Sequence, residues 1–503
     1  MEVKIVTGAI QESDADAIIV GLFEGSEPEG ATRAVDQALD GAIRDLVQGG
    51  DLSGKVGEVV VLYPRAALPS RRVVVVGLGA RQDFDLDALR RAAARAIQKA
   101  RDLKAGRVAS ALLNVTAILD RGPALEAAAQ ALTEGSRLAL YAYRGQKTED
   151  APAALPETLE LMVEAEPDRP VAQRGVEAGD AIAAGVNLTR DLVNLPPNIC
   201  TPVHLAEAAS QIAETLGLRV QVLDREQMEG LGMGALLGVA QGSDTPPRFI
   251  ILEHNADRAE ELDTIVLIGK GVTFDTGGYS LKSKEGMGTM KGDMAGAAAV
   301  IGAMRAVGAL DVPLHVVGLA PASDNMISGR AYRPQEVVTA SNGVTIEIIS
   351  TDAEGRMLLA DALVYAERFK PAAVVDIATL TGACFTALGG VAAGLFSTDD
   401  TLREALLSAA DATTEKLWPL PLFPEYEKAI ESETADIKNS GGRGGGVGSS
   451  AIFLKHFVAF PAWAHIDMAG LAFGGRDNPY VPGKGATGYG VRLLTEFVRR
   501  WDR

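Results

Sequence analysis

Short apolar runs alternate with longer stretches of helical periodicity along most of the chain, and no other feature restricts its fold as much. A strand buries a face and a helix a stripe, so chains that alternate the two pack as α/β layers around one sheet. In the first third, Val73-Val74-Val75-Val76 is followed by a glycine turn and then by Asp87–Ala100, with arginines on one face. Pro152, Pro156, Pro167 and Pro170 break the pattern among acidic residues. Proline neither donates to a ladder nor sits inside a helix, so a domain boundary is expected near 170, with Thr158–Val163 as a last strand before it.

Beyond that point Ile182, Val186, Thr189 and Val193 mark a helix that stops before Pro196-Pro197. From Asp263 the order reads strand (264–268), glycine loop, helix (294–307), strand (314–319), strand (344–350), helix (355–369) and strand (373–377). The expected fold is α/β. A smaller N-terminal α/β domain occupies 1–170, and a larger C-terminal α/β/α domain with a mixed, mainly parallel sheet occupies 171–503.

Composition narrows the function. The 503 residues carry 48 Lys+Arg against 66 Asp+Glu, a net charge of −18, which repels a phosphate backbone on average. Nucleic acid is therefore not an expected partner. The start, MEVKIVTGAIQESDADAIIV, shows no basic segment followed by an apolar one, and no apolar run approaches the roughly 20 residues that span a bilayer. A cytoplasmic location without a membrane partner is expected.

Cys200 and Cys384 are the only cysteines and are far apart, and the five histidines show no HExxH spacing. Any metal here would need oxygen ligands. Gly77-Leu78-Gly79 lacks the third glycine of a dinucleotide loop, because position 82 is Gln. The run from Gly441 to Gly446 is not followed by GK[ST], so it is expected to be a loop lining a site rather than a phosphate cradle.

Ligands in open α/β sheets bind beyond the carboxyl ends of strands, which directs attention to the residues after Ile268 and Ser350. Lys270, Asp275, Lys282 and Asp293 follow the first, and Asp352, Glu354 and Arg356 follow the second. Four carboxylates crowded there would raise one another's pKa, and two divalent cations would neutralise them. Hard oxygens suit Mg²⁺ or Mn²⁺ and accommodate Zn²⁺. A lysine ligates only as the neutral amine, whereas a charged lysine polarises a carbonyl oxygen, and both roles are open to Lys270 and Lys282. Each residue also has a plainer reading. Asp293 suits a helix N-cap, Asp352 and Glu354 could accept helix N–H groups, and the lysines could be surface partners.

At these residues the sequence resembles the leucyl aminopeptidase (cytosol aminopeptidase) family, called peptidase A in bacteria. The family's NTDAEGR signature stands as Ser350-Thr351-Asp352-Ala353-Glu354-Gly355-Arg356, and its metal loop as Gly269–Gly278. Further matches are Asn194–Asn198, Gly329–Pro334, Ala378–Ala383 and His465–Gly470, and the resemblance runs from about 180 to 495. It implies that Lys270, Asp275, Asp293 and Glu354 hold one metal while Asp275, Asp352 and Glu354 hold the other. Lys282 and Arg356 match the two catalytic positions, with Arg356 holding a bicarbonate ion as proton shuttle.

The resemblance further implies a side-chain pocket of Met290, Thr379, Gly382, Ala469 and Ala472. It implies Mn²⁺ or Zn²⁺, with Mg²⁺ or Co²⁺ possible in one position, and short peptides with a free N-terminus as substrates. The assembly implied is a homohexamer, with the N-terminal domain contributing assembly contacts and regulation. Ser350 in place of Asn, together with Gly292 and Ala295, departs from the pattern without touching a ligand. Two other readings stand beside it. One is a DNA-binding regulator or recombination accessory protein on the same fold, which the charge disfavours. The other is an inactive paralogue, which the full set of ligand positions disfavours.

Overall fold

The computed structural model describes residues 1–119, 124–148, 154–442, 444–474 and 477–502; Pro152 of the proline-rich stretch and Arg443 of the glycine run lie outside them. The chain forms two compact units, Met1–Ala183 with Gly475–Gly483, and Ala184–Gly474 with Lys484–Arg503. The helix Arg169–Asn194 carries the chain from the first unit into the second, and the two divide within it between Ala183 and Ala184.

In the first unit β1 (Glu2–Thr7), β2 (Ala17–Phe23), β3 (Val59–Leu62), β4 (Val73–Gly79), β5 (Arg107–Ser110) and β6 (Thr158–Val163) form one sheet in the order β1-β6-β5-β2-β4-β3. All its pairings are parallel except β3 with β4. Val73 to Val76 are fully buried in β4, as a parallel strand covered on both faces requires. Gly77 serves packing: a Cβ there would lie 2.0 Å from the carbonyl oxygen of Lys55.

The second unit contains β7 (Arg219–Leu223), β8 (Arg248–His254), β9 (Thr264–Gly269), β10 (Gly271–Asp275), β11 (His315–Asn325), β12 (Val337–Thr339), β13 (Thr345–Glu347), β14 (Ala373–Ala378), β15 (Ala393–Ser397), β16 (Leu417–Pro419), β17 (Ile437–Lys438) and β18 (Trp463–Asp467). The main sheet runs β16-β15-β18-β14-β9-β11-β8-β7, with β10 also on β11. Its centre, β18-β14-β9-β11, is parallel, and β8 and β15 join antiparallel. The mixed, mainly parallel sheet expected from the sequence is present.

Side chains alternate between two cores. Ile265 and Leu267 of β9 join Val375 and Ile377 of β14 in one, packed with the helix Ala295–Leu310. Val266 and Ile268 join Val374 in the other, packed with the helix Gly355–Ala366. Period-two alternation on central strands thus puts a helical layer on each face.

Two expectations change. The segment 344–350 does not add a strand to the main sheet. Only Thr345–Glu347 is extended, and it pairs with β12 and β17 in a small separate sheet. Of its three residues only Ile346 is buried, whereas a central strand of the main sheet is buried throughout. The stretch Lys284–Leu310 is also long and apolar enough to cross a membrane, contrary to the reading of the sequence, and 78% of its apolar window is buried inside the unit.

Candidate metal centre

Lys270 stands alone between β9 and β10. β11 pairs with β9 as far as Leu319 and with β10 from Ala322, so the chain breaks step at Lys270 without leaving the sheet. Its N–H donates to the Ile377 carbonyl (3.1 Å), and its carbonyl accepts from the N–H of Ala297 (2.8 Å). The side chain lies across the first turn of the helix Gly355–Ala366. A Cβ on Gly355 would sit 2.4 Å from Lys270 Cε and 2.6 Å from Nζ, so any side chain here would have to displace the lysine.

Asp275 ends β10, and its Oδ1 accepts from Gly277 N–H and from Asn325 Nδ2, both at 2.8 Å. Asn325, the last residue of β11, also donates to the Thr351 carbonyl (2.9 Å), which ties Asp275 to the segment bearing Asp352 and Glu354. Asp293 follows a short 3-10 turn and does not cap the next helix. Its Oδ1 accepts from Thr379 Oγ1 at 2.8 Å. Glu354 precedes the helix Gly355–Ala366 without capping it. The capping readings of Asp293 and Glu354 therefore do not describe their side chains.

One carboxylate oxygen each from buried Asp275, Asp293 and Glu354 lies within 4.8 Å of the others. Lys270 Nζ is 2.8 Å from Asp293 Oδ2 and 2.8 Å from Glu354 Oε1, and it donates to the Thr379 carbonyl at 3.0 Å. Lys282 Nζ bridges Asp275 (2.7 Å) and Asp352. Asp352 stands at the rim, its side chain 37% exposed, while that of Lys282 is 17% exposed. Two ammonium groups thus face four carboxylates, leaving the cluster two positive charges short of neutral when all are ionised.

Burial pushes Asp275 up to about 6, with the charge of Glu354 adding to it. Burial likewise raises Asp293, against the pull of Lys270, and raises Asp352 with help from Glu354. Burial pushes Glu354 up as well, but Lys270 and Lys282 more than reverse it and hold it at about 2. Burial disfavours the charge on each lysine, yet the surrounding carboxylates carry both above the ordinary lysine value.

Arg356 is buried, donates from Nη1 to the Asn439 carbonyl (2.7 Å) and leaves Nε without a hydrogen-bond partner. Burial lowers its pKa to about 10. Of the pocket residues, Thr379 touches the cluster directly. Gly382 opens the helix Gly382–Leu388 with free space where a Cβ would be, Met290 and Ala469 are half-buried, and Ala472 is buried in the core. Gly445 and Gly446, from the end of the glycine run, line a cavity of about 430 Å³ with Ala383 and Tyr426.

Reading the sequence missed Asn325 and Asn439. Asn439 accepts from the N–H groups of Ile349 (2.8 Å) and Ser350 (3.2 Å) and donates to the Ser350 carbonyl (2.7 Å), bracing the entry to the signature. The sequence reading ends the strand at 319, whereas β11 continues to Asn325, so neither asparagine stood at an expected strand end.

The residues fit divalent cations. Glu354 Oε2 is buried without a hydrogen-bond partner, and Asp293 Oδ2 meets only the Lys270 ion pair. Hard oxygens spaced this closely match bonds of roughly 2.0–2.6 Å to a shared ion. Buried carboxylates and amines gathered around the parallel centre of an α/β/α sheet define a metal-dependent enzyme.

The catalytic-domain model of the cytosol aminopeptidase family matches residues 187–495, and the family's N-terminal-domain model matches 19–150. A probable cytosol aminopeptidase of Roseiflexus castenholzii is 44% identical over 505 aligned positions, covering 100% of both chains. One from Geobacter sulfurreducens is 43% identical, covering 96% of each. Among solved structures, a mutant of tomato leucine aminopeptidase superposes with a TM-score of 0.87 at 34% identity, over 99% of this chain and 96% of that one. The bottromycin maturation enzyme BotP in complex with Mn gives 0.84 at 34% identity, over 96% and 99%. The chain belongs to the cytosol aminopeptidase family. It is accordingly a metal-dependent aminopeptidase, a hydrolase.

Proposed function

We propose that the enzyme removes N-terminal residues, leucine-like ones in preference, from short peptides with a free α-amine, using two divalent ions bound at the cluster. The supporting observation is the burial of Lys270, Asp275, Asp293 and Glu354 within mutual reach, with Lys282 and Asp352 alongside. In this reading Lys270, Asp275, Asp293 and Glu354 hold one ion, and Asp275, Asp352 and Glu354 hold the other. Asp275 and Glu354 belong to both sets. The ions are Mn²⁺ or Zn²⁺, with Mg²⁺ or Co²⁺ possible in one position; BotP is the neighbour whose structure was solved with Mn. When bound, the pair supplies a Lewis acid for the scissile carbonyl and a low-pKa water.

The protein's own groups do the rest. Lys270 must give up its proton to serve as a ligand, which two dications beside it favour. Lys282 is held charged by the carboxylates around it and sits near the rim, where it can donate to the carbonyl oxygen as that oxygen gains negative charge. Such a donor is worth roughly 3 kcal/mol in comparable sites. Arg356 keeps an unmet buried donor, which would suit an anion such as bicarbonate; held there, it would supply proton-exchange chemistry. Thr379, Gly382, Ala469 and Ala472 are small and Met290 is adaptable, so a leucine- or methionine-sized side chain fits the pocket.

A homohexamer in the cytoplasm is the expected context, following the family, with the first unit supplying assembly contacts and regulation. The DNA-binding alternative gains no support from the relatives, and the net charge of −18 opposes it. The test is release of leucine from a chromogenic amide, set against N-terminal Asp and Arg substrates, with and without a chelator. Chelator-sensitive release favouring leucine is expected. Equal activity after complete chelation, or a clear preference for Asp or Arg, overturns the reading.

A further inference from the structure

Asp467 ends β18 beside Ala378, the last residue of β14, and is fully buried. Its carboxylate is taken up chiefly by the turn that follows β14. Oδ1 accepts from the N–H groups of Leu380 (3.2 Å), Thr381 (3.4 Å) and Ala469 (3.2 Å), and Oδ2 accepts from Thr381 Oγ1 at 2.6 Å. Thr381 Oγ1 in turn accepts from the N–H of Cys384 (3.0 Å) and caps the helix Gly382–Leu388. One carboxylate therefore fixes the turn that leaves β14.

The first residue of that turn touches the cluster twice. The Thr379 carbonyl accepts from Lys270 Nζ (3.0 Å), and its hydroxyl donates to Asp293 Oδ1 (2.8 Å). Among the described residues, no hydrogen bond or ion pair joins the turn to Asp352, the ligand assigned to the second ion alone. A group that orients a ligand sets both its direction and its basicity, and loss of such a partner costs about 10–100-fold in metal affinity.

We propose that Asp467 is a positioning residue for the metal centre. Acting through the turn 379–381, it aims Lys270 and Asp293 and so sets the affinity of the ion position they share, leaving the Asp352 position little changed. This rests on the two-ion reading above. Asp467 itself does not touch the ions, because its oxygens are occupied by the turn.

The experiment is a calorimetric Mn²⁺ titration of the full chain and of Asp467→Asn, Thr381→Val and Thr379→Val, with circular dichroism and thermal unfolding of each metal-free protein. One of two binding steps is expected to weaken 10–100-fold in Asp467→Asn and Thr379→Val while the other stays within about twofold. The metal-free unfolding temperature of Thr379→Val should remain near that of the parent. If Asp467→Asn does not fold, Thr381→Val reads the same link, because it removes one of the turn's anchors and leaves the carboxylate in place. Folded variants with both steps unchanged overturn the proposal, and so does equal weakening of both steps in proportion to lost stability. A parent that takes up no Mn²⁺ would instead sink the two-ion reading itself, so the two failures are distinct.

Discussion

Lys282 and Lys270 carry like charges a short way apart, yet their surroundings give them different work. Lys270 is enclosed by Asp293, Glu354 and the Thr379 carbonyl, whereas Lys282 reaches toward solvent between Asp275 and Asp352. Removing the exposed amine should harm the reaction more than the metal site. For Lys282→Ala we expect kcat to fall about 10²–10³-fold with two ions still bound, read by steady-state kinetics and metal analysis. Loss of the ions in that variant would give Lys282 a structural role. Gly355→Ala acts the other way. Its new methyl group displaces the Lys270 amine, so Mn²⁺ affinity should drop by at least tenfold while the helix, which gains a better helix former, persists. Unchanged affinity in a titration would contradict that placement. The ligand candidates were legible in the sequence because acids and lysines between glycine-rich turns at strand ends are costly to explain otherwise. Asn325 and Asn439 were not, since a neutral amide after a strand reads as turn chemistry and its work is visible only in its hydrogen bonds.

The helix Gly355–Ala366 has ties near its start and at its middle. Near its start it supports Lys270, and further along Asp361 accepts the N–H groups of Leu236 (2.9 Å) and Ser341 (2.8 Å). Burial pushes the Asp361 carboxyl up to about 6 against those hydrogen bonds, from an ordinary value of 3.8. Between those values the folded chain holds a proton that the unfolded chain has released, so the sign is fixed. Stability from this group is greatest at low pH, declines as pH rises through the window and is level above about 6, by about 3 kcal/mol in all. Urea unfolding of the parent and Asp361→Asn across that range should show the parent losing ground as pH rises; a constant gap would contradict the shift. Central strands such as β9 and β14 were readable because continuous apolar runs survive burial on both faces. β13 was misassigned because a three-residue strand with one buried side chain looks the same in sequence whichever sheet it joins.

The cluster leaves negative charge unbalanced within the second unit. Four carboxylates and two amines gathered by separate segments repel unless cations complete them, so ions that bind only the folded chain should stabilise it. At a hundredfold excess over Kd the gain is about 2.7 kcal/mol per site, which should raise the unfolding temperature by several degrees on adding Mn²⁺ to stripped protein. An unfolding temperature indifferent to Mn²⁺ would count against a built site. The most direct measurement is elemental analysis of stripped and reloaded protein alongside leucine-amide hydrolysis. Two ions per chain, with activity absent after stripping and returning in step with the ions, is the expected result. Undiminished hydrolysis by protein free of metal, or reloaded protein holding less than one ion per chain, would contradict the central claim that this acidic cluster is a working metal centre.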